Sequence, residues 1–497
     1  MNSVMNGIEA LVCALRAAGV QSVYAVPGYP ITELAEHVIE HMRPRARWVI
    51  SEKSAFEMAF GGSVSGRRTC VITKHVGLNV LSDPLITSAT HTIGAGLVVI
   101  TGDDPLALGS QNEQDSRYYG LLAEVPVFDP NPHNLMGCVA SAYMLSERTR
   151  APAIIRLTSR LLEAECALES LSIPREPLSS YDHGVWSLTL HGKHQRFYRD
   201  AHPLMRQEAE HTSLNRLVHR GEDVVISSGY ASYVVERALE AGGLDVSHLS
   251  LSLVNPLPLS LLSRALSYRR VLVVEEPYPF IEHHIATHEH VRGRTTGHIT
   301  STGIGEEDVL WALERLDTEK LEPEYVPQSL DMRGYRHYIC DNCPFLPLLE
   351  ALSELDVPVA GDVGCVIRSA PEPMAAVDVA LALGSAVGVA SGFPEGGIAV
   401  IGDFALLHSA LPSLVHARAW SIDVLVVVLK NSVAAITGGQ WLPELELLDD
   451  VVRGICPEVR VVSCSALDRD GWHELLSTLL EGHGLRMVIA EGVCPEG

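Results

Sequence analysis

The chain has 497 residues, 47% hydrophobic and 20% charged, so it can bury a large core and divide into about three domains. Its formal net charge of −24 excludes nucleic acid as a partner and argues against an anionic membrane, because phosphates would be repelled. Met1–Gly19 lacks the features of a targeting segment, no apolar run has transmembrane length, and the ten cysteines are scattered, which leads us to expect a cytoplasmic protein.

Residues 1–170 alternate helical patterns with short apolar runs at Val23–Val26, Trp48–Ile50, Thr69–Thr73, Gly96–Ile100 and Ala153–Leu157. This rhythm predicts a parallel sheet covered by helices. Four polar clusters follow such runs: Pro27-Gly28-Tyr29-Pro30, Ser51-Glu52-Lys53, Lys74-His75-Val76-Gly77-Leu78-Asn79, and Ser110-Gln111-Asn112-Glu113-Gln114-Asp115-Ser116-Arg117. Open α/β sheets bind ligands beyond the carboxyl ends of their strands, so all four lie where a ligand would. Residues 171–222 are polar and rich in His and Arg, and read as a linker with one or two helices.

A second αβ rhythm, 223–330, has strand candidates at Val224–Ser227 and Val271–Val274. Its histidines His283, His284, His288 and His290 crowd one predicted helix, and the spacing puts His284 and His288 on one face. No His-Glu-x-x-His is present, so a solvated helix face is expected.

The third unit, 331–497, opens with Cys340-Asp341-Asn342-Cys343-Pro344 and Gly361-Asp362-Val363-Gly364-Cys365. Two β-branched runs then lead to oxygen-bearing side chains, Gly397–Val400 to Asp403 in Ile401-Gly402-Asp403-Phe404 and Val424–Val428 to Asn431 in Leu429-Lys430-Asn431-Ser432-Val433. Asp403 and Asn431 are 28 positions apart. A Gly-Asp followed about thirty residues later by Asn is the spacing of the thiamine diphosphate motif. A carboxylate and an amide oxygen suit a hard cation that also holds a diphosphate. Alone, the motif is equally a strand-end turn and an unrelated Asn.

The run Val23–Tyr119 resembles the pyrimidine-binding domain of the indolepyruvate ferredoxin oxidoreductase large-subunit family, through Pro-Gly-x-Pro, a Glu at a strand end, Lys-His-Val-Gly-Leu-Asn and Ser-Gln-Asn-Glu-Gln-Asp-Ser-Arg. Gly361–Cys365, Gly402-Asp403, Asn431 and Thr437-Gly438-Gly439-Gln440 are similar to its diphosphate-binding domain. The middle unit is similar to a transketolase C-terminal-like domain. The resemblance implies three doubly wound α/β domains of the transketolase-like type, thiamine diphosphate, Mg²⁺ and a 2-oxo acid substrate, an arylpyruvate such as indolepyruvate. It also implies a homodimer in which Glu52 of one chain faces Asp403 of the other, with a second small subunit as a further partner.

By the same resemblance Glu52 promotes the imino tautomer of the aminopyrimidine, for which a buried carboxyl is suited; by itself it is equally a first-turn helix acid. Asp403, Asn431 and a backbone carbonyl near Val433 are the implied Mg²⁺ ligands. Pro27, Gly28, Gly77, Asn79, Gly361, Asp362, Gly364, Gly384, Gly402 and Phe404 are the implied cofactor contacts. Phe404 departs from the small polar residue expected there, leaving a contact through its backbone only. His75 and His408 are candidates to meet the substrate or shuttle a proton, with a hydrogen-bonded core His as the alternative.

Cys340, Cys343 and Cys365 are either free thiols or ligands of an iron–sulfur cluster, which normally takes four thiolates; Cys456 is the evident fourth. No Cys-x-x-Cys-x-x-Cys occurs, and the chain ends 57 residues beyond Gln440. The family's ferredoxin-like extension is therefore not expected here. The reaction expected is decarboxylation without oxidation, as in a decarboxylase, lyase or carboligase, or with electrons passed to a separate partner. A nicotinamide dehydrogenase would need a Gly-x-Gly-x-x-Gly after an early strand, which is absent. A scaffold would have no use for Glu52, Asp403 and Asn431.

Overall fold

The computed structural model describes residues 4–169, 171, 173–322 and 339–495. The chain forms two compact units, 1–324 and 325–497. The first contains, besides an antiparallel pair of Val4–Asn6 with Glu165–Ala167, two larger sheets. One has seven strands in the order Leu253–Asn255, Val127–Phe128, Ala153–Thr158, Leu97–Asp103, Thr69–Lys74, Ser22–Ala25, Ala46–Trp48. All pairings are parallel except that of Leu253–Asn255. Thr69–Thr73 and Leu97–Asp103 are buried on both faces, the pattern of a parallel sheet sandwiched between helices. The apolar runs read from the sequence become these strands. Strand Ala46–Trp48 stops short of the predicted Ile50, and Val49 still donates to the Ala25 carbonyl before helix Glu52–Val64 begins.

The other sheet runs Val291–Arg292, Arg270–Val274, Asp223–Ser228, Ser247–Leu251, Arg216–Val218, with only the last strand antiparallel. Between the sheets in sequence, a short helix His183–Trp186 is followed by continuous helical chain from Leu190 to His211. That stretch seats Phe197, Ala201 and Met205 against Ala151. The four histidines do not share a helix. The helix is Phe280–Ile285, and His288 and His290 lie past its end, where the chain turns toward strand Val291–Arg292. His284 Nδ1 meets the Phe280 carbonyl and His290 Nε2 the Leu266 carbonyl.

The second unit holds six parallel strands in the order Val379–Ala380, Val359–Gly361, Gly397–Gly402, Val424–Lys430, Leu485–Glu491, Glu458–Ser463. The central strands bury nearly every side chain, so Ile398, Val400, Leu425, Val427 and Val488 form one core and Ala399, Ile401, Val424, Val426 and Ile489 another. Burying each such side chain stabilises by about 1.5–3 kcal/mol, which fixes the register and with it the strand ends. No helix among the described residues is long and apolar enough to cross a membrane.

Candidate active site

In the first unit Glu52 opens helix Glu52–Val64 and is 4% exposed. A first-turn acid normally faces water; this one is turned inward, with Oε1 3.5 Å from Thr73 Oγ1. Gly77, in the first turn of helix His75–His91, makes the room: a Cβ there would lie 2.4 Å from Glu52 Oε1 and 1.9 Å from Thr73 Oγ1. Gly28 does the same for Lys74, whose Cδ would be 2.7 Å from a Cβ. Pro27 and Gly28 are buried after strand Ser22–Ala25, and the Gly28 N–H donates to Thr32 Oγ1 at 3.0 Å. Asn79 is exposed and accepts from the Tyr119 hydroxyl. Glu57 points outward and pairs with Lys53 at 2.8 Å.

His75 is 1% exposed. Its Nδ1 faces the Gly102 carbonyl at 3.1 Å, and its Nε2 faces the Asn112 carbonyl at 3.1 Å and Oδ1 at 3.3 Å. The ring therefore ties a strand end to the Ser110–Arg117 loop. The rest of that loop is an ionic anchor. Arg117 binds Asp115 (Nη2–Oδ2 2.6 Å), Glu275 (Nη1–Oε2 2.8 Å), Ser228 Oγ (3.0 Å) and the Tyr278 carbonyl (2.9 Å). Ser116 bonds Asp103, which with Asp129 is held by Arg156 at 2.8 and 3.1 Å. Burial pushes the Glu275 carboxyl up to about 7 despite Arg117.

In the second unit Asp362, Asp403 and Asn431 follow three adjacent parallel strands, so sheet order brings them to one edge. Asp403 is 2% exposed. Its Oδ1 accepts from Phe404 N at 2.8 Å, and its Oδ2 from Asn431 N at 3.0 Å and Ser432 N at 2.6 Å. Ser432 reaches this position in a left-handed conformation, φ 61°. Asn431 Oδ1 accepts from Val433 N at 3.3 Å, and the Val433 carbonyl from Ala435 N at 3.0 Å. Asp362 is wholly buried, with Oδ1 accepting from Gly384 N at 2.7 Å and Oδ2 without a partner. Burial, first among the causes, pushes both Asp362 and Asp403 up to about 6.

Glycines clear this edge. Gly384 has φ +80° and lies against Ser409 and Ala405; Gly361 abuts Val377; Gly364 sits 3.9 Å from Asp362 Oδ2 by its would-be Cβ; and at Gly402 a Cβ would meet nothing. The Phe404 N–H is spent on Asp403 and its ring lies 5.8 Å from that of His408. His408 belongs to a π-helical turn, Leu406–Ala410, and its Nδ1 is 2.5 Å from Ser409 Oγ. Thr437–Gln440 closes a turn in which Thr437 Oγ1 donates to Gln440 Oε1 at 2.7 Å.

The orphaned Asp362 oxygen, the open space at Gly402 and the all-oxygen set of Asp403, Asn431 Oδ1 and the Val433 carbonyl fit a hard cation carrying an anion. Among the described residues no group of three His, Cys, Asp or Glu is arranged around a metal position, so any such cation depends on oxygens that are not all carboxylates.

The cysteines sort by strand direction. Cys365 follows strand Val359–Gly361 and Cys494 follows Leu485–Glu491, both at carboxyl ends. Gly492 touches Pro344, the residue after Cys343. Burial raises the Cys365 thiol to about 11, with smaller contributions from Cys494, Cys343 and Cys340. Cys456 lies at the opposite edge, its Sγ meeting the Glu458 and Leu485 carbonyls at 3.1 and 3.5 Å. Leu485 begins a seven-residue strand, about 20 Å long. Cys456 is thus not the fourth thiol of the group; Cys494, on the carboxyl side of the sheet, lies near Cys365. Its place just past the last apolar run was the available signal.

Two glycine-cleared strand edges, one with a buried Glu and one with buried Asp and a half-buried Asn, define a thiamine pyrophosphate enzyme. Residues 5–118 match the thiamine pyrophosphate enzyme N-terminal TPP binding domain and residues 362–453 the C-terminal TPP binding domain. The chain belongs to the family of indolepyruvate oxidoreductase subunit IorA. It is 30% identical to that subunit of Methanothermobacter thermautotrophicus over 95% of this chain and 81% of the relative. It is 29% identical to that of Archaeoglobus fulgidus over 98% of this chain and 86% of the relative. The fold is also that of a 2-oxoglutarate:ferredoxin oxidoreductase from Magnetococcus marinus, with a TM-score of 0.50 at 16% identity, covering 64% of this chain and 65% of that one.

Proposed function

We propose that this chain is the thiamine diphosphate-binding subunit of an oxidoreductase that decarboxylates an arylpyruvate such as indolepyruvate and passes the electrons to a partner. The observation that carries the reading is the inward-turned Glu52, seated on Thr73 under Gly77. Thiamine diphosphate, when bound, supplies the electron sink that lets carbon dioxide leave a 2-oxo acid. Glu52 holds and moves a proton at its largely buried carboxyl. Asp403, Asn431 and the Val433 carbonyl hold Mg²⁺, and Gly402 leaves room beside them for the diphosphate. Pro27, Gly28, Gly77 and Asn79 in one unit, and Gly361, Asp362, Gly364, Gly384 and Phe404 in the other, line the cofactor. His75 acts by holding the 110–117 loop, and His408 by orienting or protonating the substrate. The two halves meet between the subunits of a homodimer.

Among the described residues no three of Cys340, Cys343, Cys365 and Cys494 are arranged around a metal position, so the reading places the electron acceptor on the partner. The test is anaerobic turnover of phenylpyruvate and indolepyruvate with Mg²⁺ and thiamine diphosphate, with and without a low-potential acceptor and coenzyme A. Thioester that forms only with acceptor is expected. Aldehyde formed without acceptor would sink the oxidative reading, and Glu52→Gln retaining turnover would sink the role of Glu52.

A further inference from the structure

Lys74 ends strand Thr69–Lys74 at the same edge as Glu52. Its stem lies across Gly28, which has no side chain to exclude it. Its ammonium donates to Gln111 Oε1 at 2.8 Å and makes no salt bridge among the described residues. The acids whose charge it feels are Glu52 and Asp104, while burial pushes its pKa down. Asp104 is already occupied: its Oδ1 takes the Leu108 N–H at 3.0 Å, and its Oδ2 those of Gly109 and Ser110 at 2.8 Å each.

Lys74 is half-buried and its bond to Gln111 is open to solvent, so the ammonium is within reach of a ligand and its charge is not used up in an ion pair. Arg68, Arg117 and Arg156 of the same unit, by contrast, are buried against carboxylates that use their charge. Lys74 is the ammonium kept unpaired beside the acid that marks the reaction centre. An arriving monoanion would complete it, and the Gln111 amide would keep the ammonium aimed meanwhile. A lysine serves here as a compact point charge, reached through a stem that needs the glycine floor.

We infer that Lys74 is the group that recognises the carboxylate of the 2-oxo acid. This rests on the function proposed above and adds to it the residue that selects acids over neutral carbonyl compounds. It also gives Gly28 a second purpose beside lining the cofactor, that of seating the lysine stem.

The test uses the full chain with its partner and measures Lys74→Met and Lys74→Arg. Loss of one charge-assisted hydrogen bond raises KM for phenylpyruvate about 10- to 100-fold. Because the carboxylate gives up its charge as carbon dioxide leaves, the contact is stronger in the ground state than in the transition state, so kcat does not fall with the loss of affinity and stays level or rises. Lys74→Arg recovers most of the KM. Inhibition by phenylacetate is weakened in Lys74→Met while inhibition by phenylacetamide is not, and thiamine diphosphate binding, followed by fluorescence, is unchanged. An unaltered KM in Lys74→Met, or no preference of the unaltered protein for phenylacetate over phenylacetamide, overturns the inference; the second measurement holds even if the methionine variant does not fold. Loss of thiamine diphosphate binding in both variants also overturns it, since Lys74 would then be structural. The function proposed above fails separately, if the unaltered protein binds the cofactor and consumes no 2-oxo acid.

Discussion

The Ser110–Arg117 loop and the strand edge at Asp362, Asp403 and Asn431 both bury carboxylates, and do so in opposite ways. In the loop each acid faces an arginine: Asp115 and Glu275 meet Arg117, and Asp103 and Asp129 meet Arg156. At the strand edge Asp403 meets three backbone N–H groups, and Asp362 meets Gly384 with one oxygen unpartnered. Among the described residues neither has an ion pair. Cations built into the chain make the first region architecture. Uncompensated charge makes the second a place for something that is not part of the chain.

The comparison breaks most visibly at Arg117. Arg117→Met strands Asp115 and Glu275 in a site with no exposure. Removing one partner of a buried pair costs about 3–5 kcal/mol, so the urea midpoint should fall steeply. A loss under about 1 kcal/mol would mean that the network is solvated and anchors nothing.

Removing charge at the other region should do the reverse. Asp362 has a folded pKa of about 6 against an ordinary 3.8, raised first by burial. The folded state therefore holds this proton between those values while the unfolded chain releases it. Stability from this group is complete below the lower value and is lost as pH rises through the higher. Without cofactor or Mg²⁺, Asp362→Asn should stabilise the protein at pH 7 by about 1–3 kcal/mol. The amide can keep the Gly384 bond and place its NH₂ at the orphaned position. The fall in stability from pH 4 to pH 7 should become shallower without vanishing, because Asp403 is raised in the same way. Stabilisation by thiamine diphosphate and Mg²⁺ should weaken. A variant destabilised at pH 7 would show that Asp362 is already compensated.

The two regions were unequally legible in the sequence. Strand positions were plain, because a run such as Val424–Leu429 buried on both faces can hardly be anything else. Asp403 and Asn431 followed, since the ends of such strands are fixed by the core. The eight residues from Ser110 to Arg117 identified the family best, yet most of their polar atoms bind the protein itself. A sequence does not say whether a charged side chain will find its counterion 158 positions away, as Arg117 finds Glu275. Lys74 stood in view within a motif, but its missing ion pair is a fact of three dimensions. Cys456 and Cys494 could be ranked only once strand direction separated the two edges. The histidine helix failed because the chain turns toward a strand after Ile285, and i, i+4 spacing carries no meaning across that turn.

The smallest change that still separates the regions is one methyl group at Gly77. Its Cβ would come within 1.9 Å of Thr73 Oγ1 and 2.4 Å of Glu52 Oε1. Neither can retreat easily, because Thr73 sits in a central strand and Glu52 is fixed at a helix start. Overpacking of this kind costs about 1–3 kcal/mol. Gly61→Ala is the control: it lies in the helix that Glu52 begins, and its Cβ would meet nothing within 4 Å. Removing a glycine from an unstrained helical position should stabilise by about 0.4–1 kcal/mol. Urea unfolding of the two variants should therefore shift in opposite directions, and only Gly77→Ala should weaken thiamine diphosphate binding. The arginine-paired loop does not touch either glycine, so its contribution cancels between them. Equal behaviour of the two variants would mean that Glu52 is free to move, and that its burial beside Thr73 is not what fixes the proton-transfer group.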